Sequence, residues 1–228
     1  MHWSKSALAA LAAAGLAALP AAAQQAPPAP ASRFVVVLDA AHGGSDPGGR
    51  LGSGQPEKAA TLALSVRLRS LLAARGIAVV TTRESDATID SNRRAAIANY
   101  AAAQVCLSLH ASDSGSGAHL FVSSLAPVQA TRFAAWKTAQ AAWVTRSLAL
   151  AGVLNSALLH GGMNVTLDRT TLPTVDSMTC PAVAVEVAPE RGPDGQITAE
   201  PDDPAYQARV AGAVAAAVLE FRTEARQP

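Results

Sequence analysis

The stretch that decides the fold reads Phe34-Val35-Val36-Val37-Leu38-Asp39-Ala40-Ala41-His42-Gly43-Gly44-Ser45-Asp46-Pro47-Gly48-Gly49. Its first five residues are apolar and mostly β-branched, which predicts a strand buried on both faces, as found inside parallel sheets. The strand stops at His42 and a glycine-rich turn, where the backbone must bend and side chains become accessible. Because ligands of open α/β sheets bind just beyond the carboxyl ends of the strands, His42 is a candidate site residue.

Two further apolar runs end in the same way. The run at 105–109 ends at His110, and the run at 181–185 ends at Glu186. One run of this kind proves little. Three of them, ending in two histidines and a glutamate, indicate that these side chains share one site.

Predicted strands alternate with predicted helices along the chain. This order predicts an α/β fold, a single domain with a largely parallel sheet flanked by helices on both faces. Residues 191–204 are predicted to form a polar loop. The other predicted strands are at 77–82, 118–123, 165–167 and 172–175, and the helices are at 56–75, 92–103, 127–159 and 206–221.

Composition restricts the class of protein. The chain has 228 residues, of which 50% are hydrophobic and 15% charged, and its formal net charge is +1. This length allows one compact domain with a sizeable core, and the near-neutral charge argues against a nucleic-acid partner. The sequence contains no internal repeat that would indicate a second unit.

The first residues have the pattern of a secretory signal peptide. His2 and Lys5 give a weakly basic start, 7–19 is an apolar run, and Ala21-Ala22-Ala23 fits a cleavage site. The alternative is a buried N-terminal helix, and the run is too short for a convincing membrane span. We therefore expect a periplasmic or secreted protein without a membrane anchor, cleaved near Ala23. The expected segments are a signal peptide at 1–23, a linker at 24–32, the main folded domain at 33–222 and a tail at 223–228.

The candidate site residues suit the chemistry of a zinc hydrolase. Such a site needs about three ligands of the His, Glu or Asp type and an open position for water. His42, Glu57 and His110 could supply the ligands, from a strand end, a helix start and a second strand end. Glu186 would then be free as the general base, because bound zinc lowers the pKa of its water to about 7 and a carboxylate can take the proton.

Each of these residues also has a simpler explanation. A histidine at a strand end is often a hydrogen-bonded loop residue, and the helix dipole favours a glutamate such as Glu57 in a first turn. Spacing alone gives no compact ligand pair such as H-E-x-x-H. Glu186 is the least explained by structure, because an ionised carboxylate after an apolar strand must find a partner. His119 is expected to be a polar residue at a strand edge and His160 to cap the C-terminus of a helix, although either could reach a substrate.

A series of motifs occurs in a fixed order between Arg33 and Phe221. Together they resemble the zinc-dependent N-acetylmuramoyl-L-alanine amidases of the Amidase_3 family, and six ordered motifs are far more specific than one. The motifs are Asp39-x-x-His42-Gly43-Gly44-x-Asp46-Pro47-Gly48, Glu57-Lys58, Thr82-Arg83-x-x-Asp86, Arg94-x-x-x-Ala98-Asn99, Leu107-Ser108-Leu109-His110-Ala111 and Pro181-Ala182-Val183-Ala184-Val185-Glu186.

The resemblance implies a fold and an activity. The fold is a mixed sheet flanked by helices, and the positions that match His42, Glu57 and His110 hold zinc. The position that matches Glu186 is the catalytic glutamate. The implied reaction is cleavage of the amide between N-acetylmuramic acid and L-alanine in peptidoglycan.

The chain departs from the family pattern at several positions. Ala41 stands where the family usually has glycine, Gly49 where alanine is usual, and Thr61 where asparagine is common. The segment 187–191 also differs from the family's usual sequence after the catalytic glutamate. The expected zinc ligands are unaffected, so the departures concern substrate contacts more than chemistry.

Two rival functions stay open at this point. A zinc peptidase that cuts within the peptidoglycan stem peptide would use the same metal chemistry. An inactive wall-binding module would not need a general base, so the presence of Glu186 argues against it.

Regulation can be predicted from an absence in the sequence. Some relatives carry a helix whose glutamate closes the zinc site until an activator moves it, but no glutamate occurs from Ser85 to Val185. The acidic residues between the His110 loop and Glu186 are Asp168 and Asp176. We therefore expect a monomeric enzyme that is active without a protein activator.

The two cysteines, Cys106 and Cys180, invite a disulfide in an exported chain. If their strands were neighbours with His110 and Glu186 level, the cysteines would be offset by two residues. Their Cα atoms would then lie about 8 Å apart, beyond the range of about 7 Å that a disulfide allows. This geometry predicts two buried free thiols.

Overall fold

The structure is a computed structural model that describes residues 33–129 and 135–224. The predicted signal peptide and linker at 1–32 lie outside the described residues, as does most of the predicted tail. All the secondary structure below belongs to the unit that starts at Arg33.

One six-stranded sheet forms the centre of the domain. The first strands are β1 (Val35–Ala40), β2 (Ala78–Thr81) and β3 (Val105–Ala111), and the later ones are β4 (Ala118–Ser123), β5 (Val165–Thr170) and β6 (Ala182–Val187). Their order is β2-β1-β3-β6-β4-β5. β2, β1, β3 and β6 run parallel, whereas β4 and its parallel neighbour β5 run antiparallel to β6. The predicted α/β fold with a mixed, largely parallel sheet is confirmed.

In the part of the chain that the structure describes, five α-helices cover the two faces of the sheet. They are α1 (Glu57–Ala73), α2 (Ser91–Tyr100), α3 (Val144–His160), α4 (Pro173–Asp176) and α5 (Pro204–Glu224). α1, α3 and α5 pack on one face over the larger core, and α2 and α4 lie over a smaller core on the other face. Among the described residues, no single helix has the length and hydropathy of a membrane span, and only the bent pair of Trp136–Ala142 and α3 meets that test together.

The alternation of side chains along each strand sets the position of the polar residues. Val36 and Leu38 of β1 enter the larger core, whereas Val37 faces the smaller one. The same period of two places Leu107 and Leu109 of β3 in the larger core. The residues between and after them therefore face α2 and α4, and on this face the strands change from apolar to polar towards their carboxyl ends.

Three predicted elements differ in the structure. Residues 172–175 form no strand, because Pro173 at the first helical position starts the short helix α4. The predicted helix at 127–159 is a 3-10 segment, Trp136–Ala142, followed by α3, and part of it falls outside the described residues. The predicted loop at 191–204 contains one strand of a small hairpin, β7 (Glu190–Arg191) and β8 (Ile197–Ala199).

The prediction of free thiols is wrong, because Cys106 and Cys180 form a disulfide. The assumed register was right, since His110 pairs with Glu186 and Cys106 pairs with Ala182. The error was to extend β6 back to Cys180, which precedes the first residue of that strand. The chain turns there, and the Cα atoms of the two cysteines are 6.2 Å apart.

Two side chains fix the same segment before β6. Gln140 is fully buried, and its amide donates hydrogen bonds to the carbonyls of Met178 and Cys180 at 2.9 and 3.0 Å. Asn99 of α2 donates to the carbonyl of Ser177 and accepts from the backbone N–H of Thr179. The segment from α4 to β6 is therefore held by one covalent bond and two amide side chains.

The disulfide predicts how the fold responds to reduction. It closes a loop of 74 residues, and bonds over such loops contribute about 2–4 kcal/mol to the free energy of unfolding. Thiol titration of the denatured, unreduced protein should find no free thiol. A reductant should lower the midpoint of denaturant unfolding in the wild type and leave the Cys106→Ala/Cys180→Ala variant unaffected. Two titratable thiols in the unreduced chain would contradict this prediction.

Candidate metal centre

Three predicted site residues come together at the carboxyl edge of the sheet. His42 follows β1, His110 lies at the end of β3, and Glu57 opens α1. One ligand atom from each lies within 4.8 Å of the others. Glu57 is 6% exposed, and its two carboxylate oxygens lie 3.1 Å from His42 Nε2 and 3.0 Å from His110 Nδ1. The sheet thus joins residues that are up to 68 positions apart, from 42 to 110.

The turn after β1 has a backbone that few residues adopt. His42 itself has a φ of 60°, in the left-handed region that is unusual for a residue other than glycine. Gly48 packs against the site, since a Cβ atom there would lie 2.6 Å from the His42 ring and 2.7 Å from the Glu57 carboxylate. Any larger residue at position 48 would therefore displace two of the three candidate ligands.

Two buried arginines hold this turn in place. Arg83 donates to the carbonyls of Ala40 and Ala41, both at 2.9 Å. Arg94 donates to the carbonyl of Ala40 and to that of His42, both at 2.6 Å. Three successive carbonyls thus receive guanidinium donors, which fixes the peptide units on both sides of Ala41.

Asp39 neutralises part of this positive charge. Its buried carboxylate accepts from Arg94 at 2.7 Å and from the hydroxyls of Thr82 and Ser108 at 2.8 and 3.0 Å. A buried carboxylate with three donors is fully compensated, so it anchors the arginine rather than straining the core.

Two departures from the family pattern contact each other here. The Thr61 hydroxyl donates to the carbonyl of Ala41 at 2.9 Å and lies 3.0 Å from Arg83 Nη2, which donates to it. Gly49, the third departure, donates its N–H to Glu57 at 2.9 Å. The altered residues therefore support the turn and the ligand carboxylate through backbone groups.

The ion pair between Lys58 and Asp86 also holds the glycine-rich turn in place. Lys58 donates to Asp86 at 2.7 Å and to the carbonyl of Gly44 at 2.8 Å, and Asp86 accepts from the N–H of Gly44 at 2.6 Å. The Lys58 hydrogen bond and the Gly44 N–H lower the pKa of Asp86, which keeps it ionised.

Both histidines direct one ring nitrogen at Glu57. His42 Nδ1 lies 2.8 Å from the Asp46 carboxylate, and its Nε2 faces one Glu57 oxygen. His110 Nε2 lies 3.5 Å from the Ser108 hydroxyl, and its Nδ1 faces the other Glu57 oxygen. A nitrogen and a carboxylate oxygen at about 3 Å share either a proton or, when the nitrogen carries none, a metal ion.

The spacing of these atoms fits a tetrahedral metal ion. Two atoms bound to one zinc ion at ordinary bond lengths lie roughly 3.4 Å apart, close to the 3.1 Å between His42 Nε2 and Glu57 Oε2. The Asp46 carboxylate behind His42 is the usual second partner of a metal-binding histidine. The donor set His42, Glu57 and His110 therefore fits a divalent ion with a position left for substrate or water.

The pKa values of Glu57 and His42 are shifted in the directions that favour a positive charge beside the Glu57 carboxylate. Burial opposes ionisation of Glu57, but hydrogen bonds from His110, His42 and the Gly49 N–H hold its pKa well below the usual range. The hydrogen bond to Glu57 raises the pKa of His42 although burial lowers it, and Asp46 raises it further. Glu57 is an ionised carboxylate at neutral pH, as a metal ligand must be.

Glu186 lies beside this group and is not part of it. It pairs in register with His110 on the neighbouring parallel strand, and such strands are about 4.8 Å apart. Its carboxylate accepts from His119 Nδ1 at 2.9 Å. The predicted general base is thus next to the candidate ligands, with its carboxylate outside their cluster.

A cleft of about 400 Å³ opens beside the centre. His42 and His110 lie at one end, and Leu172, Pro173 and Val175 from the start of α4 form part of the wall. The cleft gives both histidines access to a bound molecule. This part of the wall lies at the start of the segment that the disulfide and two amide side chains hold.

Several supporting residues were missed when the sequence was interpreted from its residues alone. Arg83, Arg94 and Asp46 belong to the family motifs, but their roles in holding the turn were not predicted. His119 was expected to be a strand-edge residue. The alternation of His119 with apolar neighbours could have placed it on the polar face of the sheet. His160, in contrast, contacts the carbonyl of Ser156 at the end of α3, as expected.

The sheet places a His-Glu-His cluster that could hold a metal ion beside a neighbouring glutamate, which defines an α/β protein with a candidate metal centre at the carboxyl edge of its strands. The chain belongs to the Amidase_3 family, N-acetylmuramoyl-L-alanine amidase, whose pattern matches residues 36–220.

Known relatives agree with this assignment. The sporulation-specific N-acetylmuramoyl-L-alanine amidase of Bacillus subtilis (strain 168) is 37% identical over 82 residues, which is 35% of this chain and 32% of the relative. The chain spans between 27% and 40% of the length of the curated relatives it matches.

Solved structures share the fold. The catalytic domain of CwlV from Bacillus (Paenibacillus) polymyxa var. colistinus superposes with a TM-score of 0.64 at 24% identity, covering 83% of this chain and 98% of that domain. The CwlD amidase of Clostridioides difficile, solved in complex with the GerS lipoprotein, gives 0.64 at 19% identity over 84% of this chain and 100% of CwlD. At these identities the likeness concerns the fold.

The centre predicts which histidines control metal content. His42→Ala and His110→Ala should each abolish stoichiometric metal binding, because each removes one of three ligands. His160→Ala is the matched control, since His160 is an exposed histidine of α3, and it should bind metal as the wild type does. Elemental analysis after dialysis gives the measurement, with about one ion per chain expected for the wild type. Full metal content in His110→Ala would contradict the ligand assignment.

Proposed function

We propose that this protein is a zinc-dependent amidase that cleaves the bond between N-acetylmuramic acid and L-alanine in peptidoglycan. The observation that supports the proposal most directly is the His42, Glu57 and His110 cluster beside Glu186, at the edge of an open cleft. Membership of the Amidase_3 family supplies the reaction and the substrate class.

In the proposed reaction, zinc held by His42, Glu57 and His110 would polarise the amide carbonyl and lower the pKa of water. Glu186 takes a proton from the attacking water, and the oxygen of that water adds to the lactyl carbonyl carbon. The carbon–nitrogen bond then breaks, and Glu186 returns the proton to the nitrogen of L-alanine. The products are a muramic acid carboxyl group and a peptide with a free N-terminus, so the atoms of one water molecule are divided between them.

The position of Glu186 suits this role in the proposal. Its backbone is level with His110, so its carboxylate can reach a reacting group near the metal centre without being a ligand itself. It is partly exposed, with a side-chain exposure of 28%. A base must be accessible to water and close to the reacting carbonyl, and the exposure of Glu186 and its place beside His110 support the proposed role.

We also propose that the protein works outside the cytoplasm, in the periplasm or the medium. The N-terminal pattern of a signal peptide supports this location. The Cys106–Cys180 disulfide supports it as well, because such bonds persist in oxidising compartments and are rare in the cytosol.

Activity without a protein activator is a further part of the proposal. Within 33–129 and 135–224, the cluster of possible ligands contains only His42, Glu57 and His110. Asp168 lies exposed on the edge strand β5, and the buried Asp176 of α4 accepts from the N–H of Leu172. Neither aspartate belongs to the cluster, so no carboxylate from the described part of the region occupies the open position.

The role of Glu186 is tested by Glu186→Gln, which removes the proton acceptor and leaves the size of the side chain unchanged. The variant should keep about one zinc per chain and lose about 10²–10⁴-fold in kcat. Mass spectrometry of digested peptidoglycan should show free muramic lactyl groups and new N-terminal L-alanine for the wild type. Cleavage inside the stem peptide would instead identify a peptidase, and a near-wild-type rate for Glu186→Gln would refute the assignment of the base.

The absence of an activator is tested with the purified chain alone. The wild type should release dye from labelled peptidoglycan without any added protein, because no described carboxylate shares the metal cluster. Boiled enzyme and the His42→Ala variant serve as controls for release that does not depend on the site. Activity that appears only after a second protein is added would show that the site is closed by another route.

A further inference from the structure

The catalytic face of the sheet carries one histidine that the proposed reaction does not use. His119 lies on β4, which runs antiparallel to β6, and it pairs directly with Glu186. Its neighbours Ala118 and Leu120 enter the larger core on the opposite face. Alternation therefore places the His119 ring on the face that carries Glu186 and His110.

The contact between the two side chains is a well-formed hydrogen bond. His119 Nδ1 lies 2.9 Å from Glu186 Oε1, and the two side chains are 16% and 28% exposed. Among the described residues, this is the sole hydrogen bond recorded for the Glu186 carboxylate. One oxygen is thus held by His119, and the other oxygen is left without a protein partner from the described chain.

The His119 ring is itself fixed by its surroundings. Gly115 packs against one edge, because a Cβ atom there would lie 2.2 Å from His119 Cε1 and 2.6 Å from Nε2. The Phe121 ring, two residues along the strand, meets the His119 ring edge-on at 6.5 Å between centroids. A ring confined on two sides can hold its partner in one orientation.

A glutamate needs such support to act as a base at a defined place. Its side chain has three rotatable bonds, and a partly exposed carboxylate samples several rotamers unless it is held. The reacting geometry of a general base tolerates only small displacements. His119 supplies the missing restraint from the neighbouring strand.

We propose that His119 is a positioning residue for Glu186: its Nδ1–H holds Oε1, so that Oε2 faces the reacting water. The proposal rests on the proposed amidase function. His119 contacts neither the metal ligands nor the substrate in this assignment, and its effect passes through Glu186 alone.

The test compares His119→Leu with His119→Asn, whose amide nitrogen occupies a place close to that of Nδ1. Both are assayed on peptidoglycan together with their metal content. Loss of the restraint in His119→Leu should lower kcat about 10- to 100-fold at nearly unchanged KM. His119→Asn should recover most of that loss. His160→Leu is the matched control and should behave as the wild type.

A double variant separates positioning from other roles. If His119 acts only through Glu186, His119→Leu should have no further effect on kcat in the Glu186→Gln background. Additive losses would overturn the proposal, and so would loss of zinc from His119→Leu, which would place the residue at the metal centre instead. Equal rates for His119→Leu and the wild type would overturn it as well.

A spectroscopic readout tests the hydrogen bond without the reaction. Long-range ¹H–¹⁵N spectra of the wild type should show a proton on His119 Nδ1, with a resonance that shifts in Glu186→Gln. A bare Nδ1 would refute the proposal. A wild type that leaves peptidoglycan uncut would overturn the amidase function, and the spectrum would still decide whether His119 holds Glu186.

Discussion

The rest of the structure depends on how the backbone carbonyls of Ala40, Ala41 and His42 are satisfied. They lie where β1 ends and the chain turns with a positive φ at His42. The neighbouring strands therefore do not pair all three of these carbonyls. Arg83 and Arg94 donate to all three. Burying two guanidinium groups costs free energy unless each is well paired, and Asp39 with the carbonyls provides that pairing. A polar network, and not the apolar core, therefore sets the position of the first histidine.

The sheet explains why the candidate site could be predicted in outline from the sequence. Parallel strands place their carboxyl ends at one edge, so apolar runs that end in His42, His110 and Glu186 indicate one location. The strand register confirms the part of this prediction that concerns position, with His110 and Glu186 level on adjacent strands. Glu57 is different, because its position at a helix start has an ordinary electrostatic explanation. Only its contacts with both histidines distinguish it.

Other features depend on information that local sequence does not contain. The direction of β4 follows from long-range pairing, and it decides whether His119 meets Glu186 or faces solvent elsewhere. The helix α4 replaced a predicted strand because Pro173 starts a helical turn in a segment too short for periodicity to be recognised. Cys180 was misplaced because the strand was extended past its true beginning. In each case the local pattern was compatible with two structures, and tertiary contacts selected one.

The disulfide has a consequence for when the cleft becomes complete. It joins Cys106 of β3, four residues before His110, to the segment that forms part of the cleft wall and leads into β6. Thiols stay reduced in the cytosol and become oxidised outside it. With the export that we propose, the chain would acquire the covalent tie of its cleft wall only outside the cytoplasm, in the same compartment as its proposed substrate.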